Sequence, residues 1–159
     1  MSKFVMMVGL PGSGKSTVAH GFVEENGGPN NWIVLSTDDW IDAHAAEAGQ
    51  TYDEAWPDMI KDATTAVNAA FQAAVQRGDN ILWDQTNLGV KKRKSLLRRL
   101  PDGYEKSCIV VKCADDVRTV RLLSREGKTV PASVLRNMAE SFVPPVLEEG
   151  FDVIDEVRT

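Results

Sequence analysis

Gly9 to Thr17 reads GLPGSGKST, a G-x-x-x-x-G-K-S loop that follows the apolar run Phe4 to Val8 and precedes a helix-like stretch from Lys15 to Glu25. Strand, loop and helix in that order predict a nucleoside triphosphate site. Glycines at 9, 12 and 14 let the backbone approach phosphates and turn N–H groups toward them, with a helix N-terminus behind. Gly9, Pro11, Gly12, Ser13, Gly14, Lys15, Ser16 and Thr17 are therefore the expected binding residues for ATP or another triphosphate. Lys15 is expected to reach the β and γ phosphates, and Ser16 to ligate Mg²⁺ through its hydroxyl. The bland alternative is a glycine-rich turn whose lysine faces water.

Composition narrows the setting. A chain of 159 residues with 43% hydrophobic content can bury roughly 70% of its unfolded surface, enough for one core. No apolar run approaches the ~20 residues of a membrane span, and Phe4 to Val8 is too short for the apolar region of a signal peptide. The expectation is a cytoplasmic protein with no membrane association and no obligate protein partner. Cys108 and Cys113 bracket an apolar run rather than forming C-x-x-C, and read as core thiols rather than a redox or metal pair. His20 and His44 lie on helical patterns without a second ligand at metal spacing, and read as surface or packing residues.

Apolar β-like runs alternate with amphipathic stretches along the chain. The expected strands are Phe4 to Val8, Trp32 to Ser36, Asn80 to Trp83, Ser107 to Lys112 and Phe151 to Val157. Between the second and third, Ile60, Ala63, Val67, Ala70, Phe71, Ala74 and Val75 share one helical face, with Gly78 as the C-terminal cap. Pro131 suits the first turn of another helix carrying Val134, Leu135, Met138 and Phe142, ending before Pro144 and Pro145. This alternation predicts an α/β fold: a five-stranded parallel sheet with helices on both faces and ligands at the carboxyl ends of the strands. No linker or repeat marks a second domain, so residues 1–159 are expected to form one.

Two of those carboxyl ends carry acids. The run Trp32-Ile-Val-Leu-Ser-Thr-Asp-Asp39 ends on adjacent carboxylates, and Ile81-Leu-Trp-Asp84 ends on one. Asp84 resembles a Walker B acid, which would hold Mg²⁺ through water, while Asp38 or Asp39 could accept a proton from an attacking hydroxyl. For both members of the pair the alternative is helix capping, which also favours Asp.

Asp84-Gln-Thr-Asn-Leu88 adds a D-x-T-N-L signature. With GLPGSGKST, the Asp38-Asp39 pair, Arg121 and Arg125 before Gly127, and Val130-Pro131 followed by Val134-Leu135-Arg136 and Met138, it resembles the kinase domain of bacteriophage-type polynucleotide 5′-kinases. The Pro144-Pro145-Val-Leu-Glu-Glu-Gly-Phe-Asp stretch is similar to the end of the kinase domain in animal end-healing enzymes, so the likeness spans nearly the whole chain. The resemblance implies a P-loop kinase fold with a small arginine-bearing lid, ATP as donor, and a 5′-hydroxyl RNA or DNA end as acceptor. It implies Lys15 and Ser16 for the phosphates and metal, and Asp38 as general base. It also implies Arg125 with Arg121 as lid cations, and Thr86 and Asn87 at the acceptor. Larger relatives carry a fused phosphatase or ligase domain; the kinase motifs here occupy the whole chain and suggest a stand-alone kinase.

The arginines read compatibly from the residues alone. Asp115 to Arg125 reads as a helix, and R-x-x-x-R spacing would put both cations on one face at its C-terminal end, where they could instead complement the helix dipole. One position departs from the phage pattern: an arginine three residues beyond the base grips an acceptor phosphate there, and this chain has Ile41. A local cluster, Lys91, Lys92, Arg93, Lys94, Arg98 and Arg99, follows the Asn87 turn although the chain carries net charge −5. With Val90, Leu97 and Leu100 inward, most of these cations, Arg93 among the acceptor-binding candidates, would face outward to phosphates or simply to solvent. Three readings stay open: a polynucleotide 5′-hydroxyl kinase, a small-molecule kinase acting on a sugar, nucleoside or antibiotic, and a nucleotide-switch or ATPase module.

Overall fold

Phe4, Met6 and Val8 face one side of strand β1 (Ser2–Val8), Val5 and Met7 face the other, and all five are buried. A strand covered on both faces belongs in the middle of a parallel sheet. In the computed structural model, which describes residues 1–159, β1 pairs in parallel with β3 (Ile81–Asp84) and with β4 (Tyr104–Lys112). Strands β2 (Ile33–Leu35) and β5 (Val153–Arg158) form the edges, giving the order β2-β3-β1-β4-β5 with every pairing parallel. The register sets Met7 beside Asp84 and Val8 beside Val110, so the ends of the inner strands open on one edge.

Helix α1 (Lys15–Glu25) covers the Val5 and Met7 face with Ala19 and Val23. The opposite face is covered by α3 (Tyr52–Arg77), through Val67, Phe71 and Ala74, and by α4 (Val90–Leu97), through Leu96 and Leu97. Gly78 closes α3 in the left-handed conformation, as its position after the apolar stripe predicts. Helix α2 (Thr37–Glu47) packs on α3 through Ile41 and Ala45 against Ala55 and Ala63. Helices α5 (Asp115–Leu123) and α6 (Ala132–Ser141) follow β4, bordering the open edge of the sheet.

The element boundaries differ from expectation where a terminal residue has another task. Ser36 lies outside β2 because its hydroxyl caps α2, accepting from the Asp39 N–H at 3.2 Å. Phe151 precedes β5 and joins the core, while the Asp152 carboxylate accepts from the Lys106 N–H at 2.8 Å. Strand β4 begins earlier than expected, at Tyr104, because it pairs along the full length of β1 from Ser2. Helix α5 ends at Leu123 rather than Arg125, so Arg121 and Arg125 do not share one helical face. Both cysteines are free; Cys108 is buried and Cys113 partly so. His44 packs flat on Trp40, ring centroids 3.6 Å apart. No helix is long and apolar enough to cross a membrane.

Candidate active site

The loop between β1 and α1 is tied to the turn after β3, with the Gly9 N–H donating to the Thr86 carbonyl at 3.1 Å. Gly14 takes φ +93° where α1 begins, a conformation suited to glycine, and no side chain caps that end. The first N–H groups of α1 thus lack an intrahelical partner and are available to an anion. Pro11, Gly12, Gly14, Lys15, Ser16 and Thr17 line a cavity of about 1070 Å³. Ser13 is turned beneath the loop and buried, its hydroxyl without a partner. The Lys15 ammonium donates to the Leu10 carbonyl at 3.3 Å, and burial lowers its pKa, with Asp84 and then Asp38 acting in the other direction.

Asp84 ends β3 and lines the same cavity as this lysine. Its carboxylate accepts from the Ser16 hydroxyl at 3.0 Å. Burial raises its pKa against the opposing pull of Lys15 and Ser16. A desolvated carboxylate beside a hydroxyl is a hard oxygen pair of the kind that suits a magnesium ion.

The acid pair lies across the cavity in the first turn of α2. Because Ser36 already caps that helix, the Asp38 carboxylate is free for other contacts. It accepts from the Tyr52 hydroxyl at 2.8 Å on Oδ1, and the Lys128 ammonium stands 3.7 Å from Oδ2 and 3.3 Å from Asp42. Asp39 also faces the cavity, its pKa raised mainly by burial. The Thr37 hydroxyl donates to Gln85 Oε1 at 2.9 Å, joining this end of α2 to the turn after β3.

Arg121 and Arg125 both line the cavity, but differently. Arg121 is spent on the loop and the last residue, donating to Thr159 Oγ1 at 2.9 Å and to the Gly12 carbonyl at 3.4 Å. Arg125, beyond the end of α5, makes no side-chain hydrogen bond or ion pair and is available to a ligand.

Two acceptor candidates are tied into the fold. Thr86 lines the cavity, but Asn87 is buried and its amide donates to the Met7 carbonyl at 2.7 Å, fixing the turn at φ +51°. Arg93 is wholly buried rather than outward. Its Nε and Nη2 meet both Glu149 oxygens at 2.7 and 3.0 Å, and its Nη1 donates to the Asn87 carbonyl at 2.9 Å. The reason is helical periodicity: position 93 shares its face with Leu96, Leu97 and Leu100, all buried. Ile41 is fully buried against α3, so position 41 supplies no contact to the cavity. Tyr52, Asp53 and Lys128 are the residues that sequence reasoning missed. The Thr51-x-x-Glu54 capping box, present in the sequence and formed in the structure, is the signal that would have placed Tyr52 and Asp53 in the first turn of α3.

The AAA domain family model AAA_33 matches residues 4–145. The chain belongs to that family. As an AAA_33 member it is a P-loop kinase domain, and the matched span includes the loop from Gly9 to Thr17. Among solved structures, the AAA_33 domain is similar to a chain of the Pnkp1/Rnl/Hen1 RNA repair complex, with a TM-score of 0.65, 22% identity, and coverage of 88% of this chain and 43% of that one. It is also similar to a gluconokinase from Sinorhizobium meliloti 1021, with a TM-score of 0.60, 22% identity, and coverage of 98% and 82%. A sugar kinase from Janibacter sp. HTCC2649 matches with a TM-score of 0.62, 22% identity, and coverage of 98% and 86%. The chain therefore spans less than half the length of the repair-complex chain. At these identities the likeness is one of fold.

Proposed function

We propose that this domain transfers the γ-phosphoryl group of ATP to the 5′-hydroxyl end of a polynucleotide, with Asp38 as general base. The observation that carries the transfer step is the placement of the Asp38 carboxylate, free of capping duty, in the same cavity as Lys15 and Arg125. Lys15 binds the β and γ phosphates, and Arg125 meets charge that develops on the moving phosphoryl group. Asp38 accepts the proton of the acceptor hydroxyl as its oxygen bonds to the γ phosphorus and the bond to the bridging oxygen breaks. Ser16 directly, and Asp84 through water, would hold Mg²⁺, which neutralises phosphate charge when bound.

The polynucleotide acceptor is supported by the D-x-T-N-L turn, whose Thr86 faces the cavity, and by Lys91 and Lys92 at the start of the helix that follows it. Exposed Trp56 and Val134 add apolar surface to the cavity wall, against which a terminal base could rest. One observation favours a small uncharged hydroxyl compound instead: Asp38, Asp39 and Asp53 face the acceptor side, and position 41 brings no cation. A side-by-side screen with Mg²⁺ and labelled ATP decides between them. A 5′-hydroxyl oligonucleotide should be phosphorylated far better than free sugars, nucleosides, antibiotics or a 5′-phosphorylated control. Transfer to a small metabolite with none to any strand would retire the polynucleotide acceptor.

Asp38→Asn should lower turnover by about 10² to 10⁴ while ATP affinity stays within a few fold. The amide keeps the shape of the side chain and loses the base. Near-normal turnover in that variant would move the base elsewhere.

A further inference from the structure

Two residues outside the expected site, Tyr52 and Lys128, converge on Asp38. The Tyr52 hydroxyl occupies Oδ1 at 2.8 Å, leaving Oδ2 as the lobe that can receive a proton. Lys128 donates to Asp42 Oδ2 at 3.3 Å and stands 3.7 Å from that second Asp38 oxygen, with its ammonium 4.4 Å above the Tyr52 ring. The two side chains therefore brace each other as well as the carboxylate.

Their arrival at Asp38 has a common cause in Asp53. Its backbone N–H donates to the Gly127 carbonyl at 2.8 Å, and its carboxylate accepts from the Thr129 N–H at 2.9 Å and from the Thr129 hydroxyl at 2.9 Å. Lys128 lies between these two anchors, and Tyr52 immediately precedes Asp53. The fit is close: Gly127 holds φ +67°, and a Cβ there would lie 2.7 Å from the Thr51 side chain. Arg125 is two residues before the anchor, so one strap carries both the free arginine and the lysine that meets the base.

We propose that Tyr52 and Lys128 are positioning residues for the candidate base Asp38, and that Asp53 fixes both by latching the arginine-bearing strap to the first turn of α3. The inference rests on the phosphotransfer reading above and adds how the base is aimed. Tyr52 fixes the rotation of the carboxylate by holding one oxygen. Lys128 draws the other toward the strap, so the proton-accepting lobe and Arg125 are set relative to each other by a single backbone segment. A carboxylate free to rotate would spend less time aligned, and misplacement on the scale of 1 Å costs about 10² in rate.

The test compares Tyr52→Phe, Lys128→Met, Lys128→Arg and Asp53→Asn, each made in the wild-type and in the Asp38→Asn background. The assay uses Mg²⁺-ATP with a 5′-hydroxyl oligonucleotide, or with a free sugar if the strand is not a substrate, and thermal melts confirm folding. In the wild-type background, Lys128→Met should lower kcat by about 10² and Tyr52→Phe by at least about tenfold, with KM for ATP unchanged within about twofold. Lys128→Arg should recover part of the loss, and Asp53→Asn should fall between wild type and Lys128→Met. In the Asp38→Asn background none should lower the rate further, because groups that act through one residue are not additive. Losses of the same size in both backgrounds, or a higher KM with normal kcat, would overturn the positioning role while leaving the base assignment intact. Normal turnover in Asp38→Asn alone, or a wild-type protein with no hydroxyl acceptor, would overturn the base or the transfer reading and this inference with it.

Discussion

At the scale of single residues, the cations of the cavity divide by what they are free to do. Lys15 is held in the loop by the Leu10 carbonyl, and burial has already weakened its hydration. Lys15→Ala should abolish transfer with the melting temperature nearly unchanged, costing on the order of 10³ in rate or more by analogy with other γ-phosphate cations; a loss of only a few fold would sink the assignment. Arg125 has no partner to satisfy, so its contribution should come in the transition state. Arg125→Ala should lower kcat more than it raises acceptor KM. Arg125→Lys should rescue it poorly, since an ammonium lacks the planar fork that bridges two phosphate oxygens. Full activity in Arg125→Lys would reduce the residue to general positive potential. The loop residues and Asp84 were legible in the sequence because their chemistry is contiguous or sits at a strand end. Tyr52, Asp53 and Lys128 were not, because Tyr52 meets Asp38 only when α2 and α3 pack, and Lys128 only when the strap latches to Asp53, 76 residues before Thr129.

At the scale of elements, α4 shows how a charged residue can be structural. Arg93 ties its helix to the turn Leu147–Glu149 through a forked contact in which both side chains are almost wholly buried. Removing one partner leaves the other charge uncompensated, so Arg93→Met should cost about 3–5 kcal/mol of stability, and Arg93→Met with Glu149→Leu should recover most of it. Burial pushes the Glu149 carboxyl up, but its hydrogen bonds from Arg93 and the Val146 N–H, with the Arg93 charge, hold it below its ordinary value of 4.5 in the folded protein. The unfolded chain then binds the proton first as pH falls. The stabilisation is complete above pH 4.5 and is lost as pH drops through the lowered folded value. Denaturant melts of the wild type should therefore weaken below pH 4.5 more steeply than those of the double variant. Equal slopes would mean that the pair makes no pH-dependent contribution. The strands and α3 were readable because period-2 and period-3.6 patterns report burial directly. Arg93 lay on the same stripe as Leu96, Leu97 and Leu100, but its partner is 56 residues away and no local pattern announces it.

At the scale of the whole molecule, a net charge of −5 opposes a polyanionic acceptor, so any polynucleotide binding must be local. The structure reduces the cluster available for it. Arg93 is buried, and Arg99 donates to Asn68 at 3.0 Å and rests 4.6 Å from the centre of the Phe71 ring. Lys91, Lys92, Lys94 and Arg98 remain exposed without an ion-pair partner. If these residues track the strand, the logarithm of kcat/KM for an oligonucleotide should fall with the logarithm of salt at a slope of about −0.7 per phosphate contacted. Replacing Lys91, Lys92 and Lys94 with alanine should flatten that slope. kcat at saturating oligonucleotide should hardly change, because backbone contacts remote from the reacting atoms act on binding. An unchanged slope would remove α4 from the acceptor path. A loss confined to kcat would point to disturbance of the Asp84–Leu88 turn next to α4 instead. A small uncharged acceptor makes a different forecast, with kcat/KM responding only weakly to salt in both proteins, so the salt series separates the two acceptor classes by their electrostatics as well as by their products.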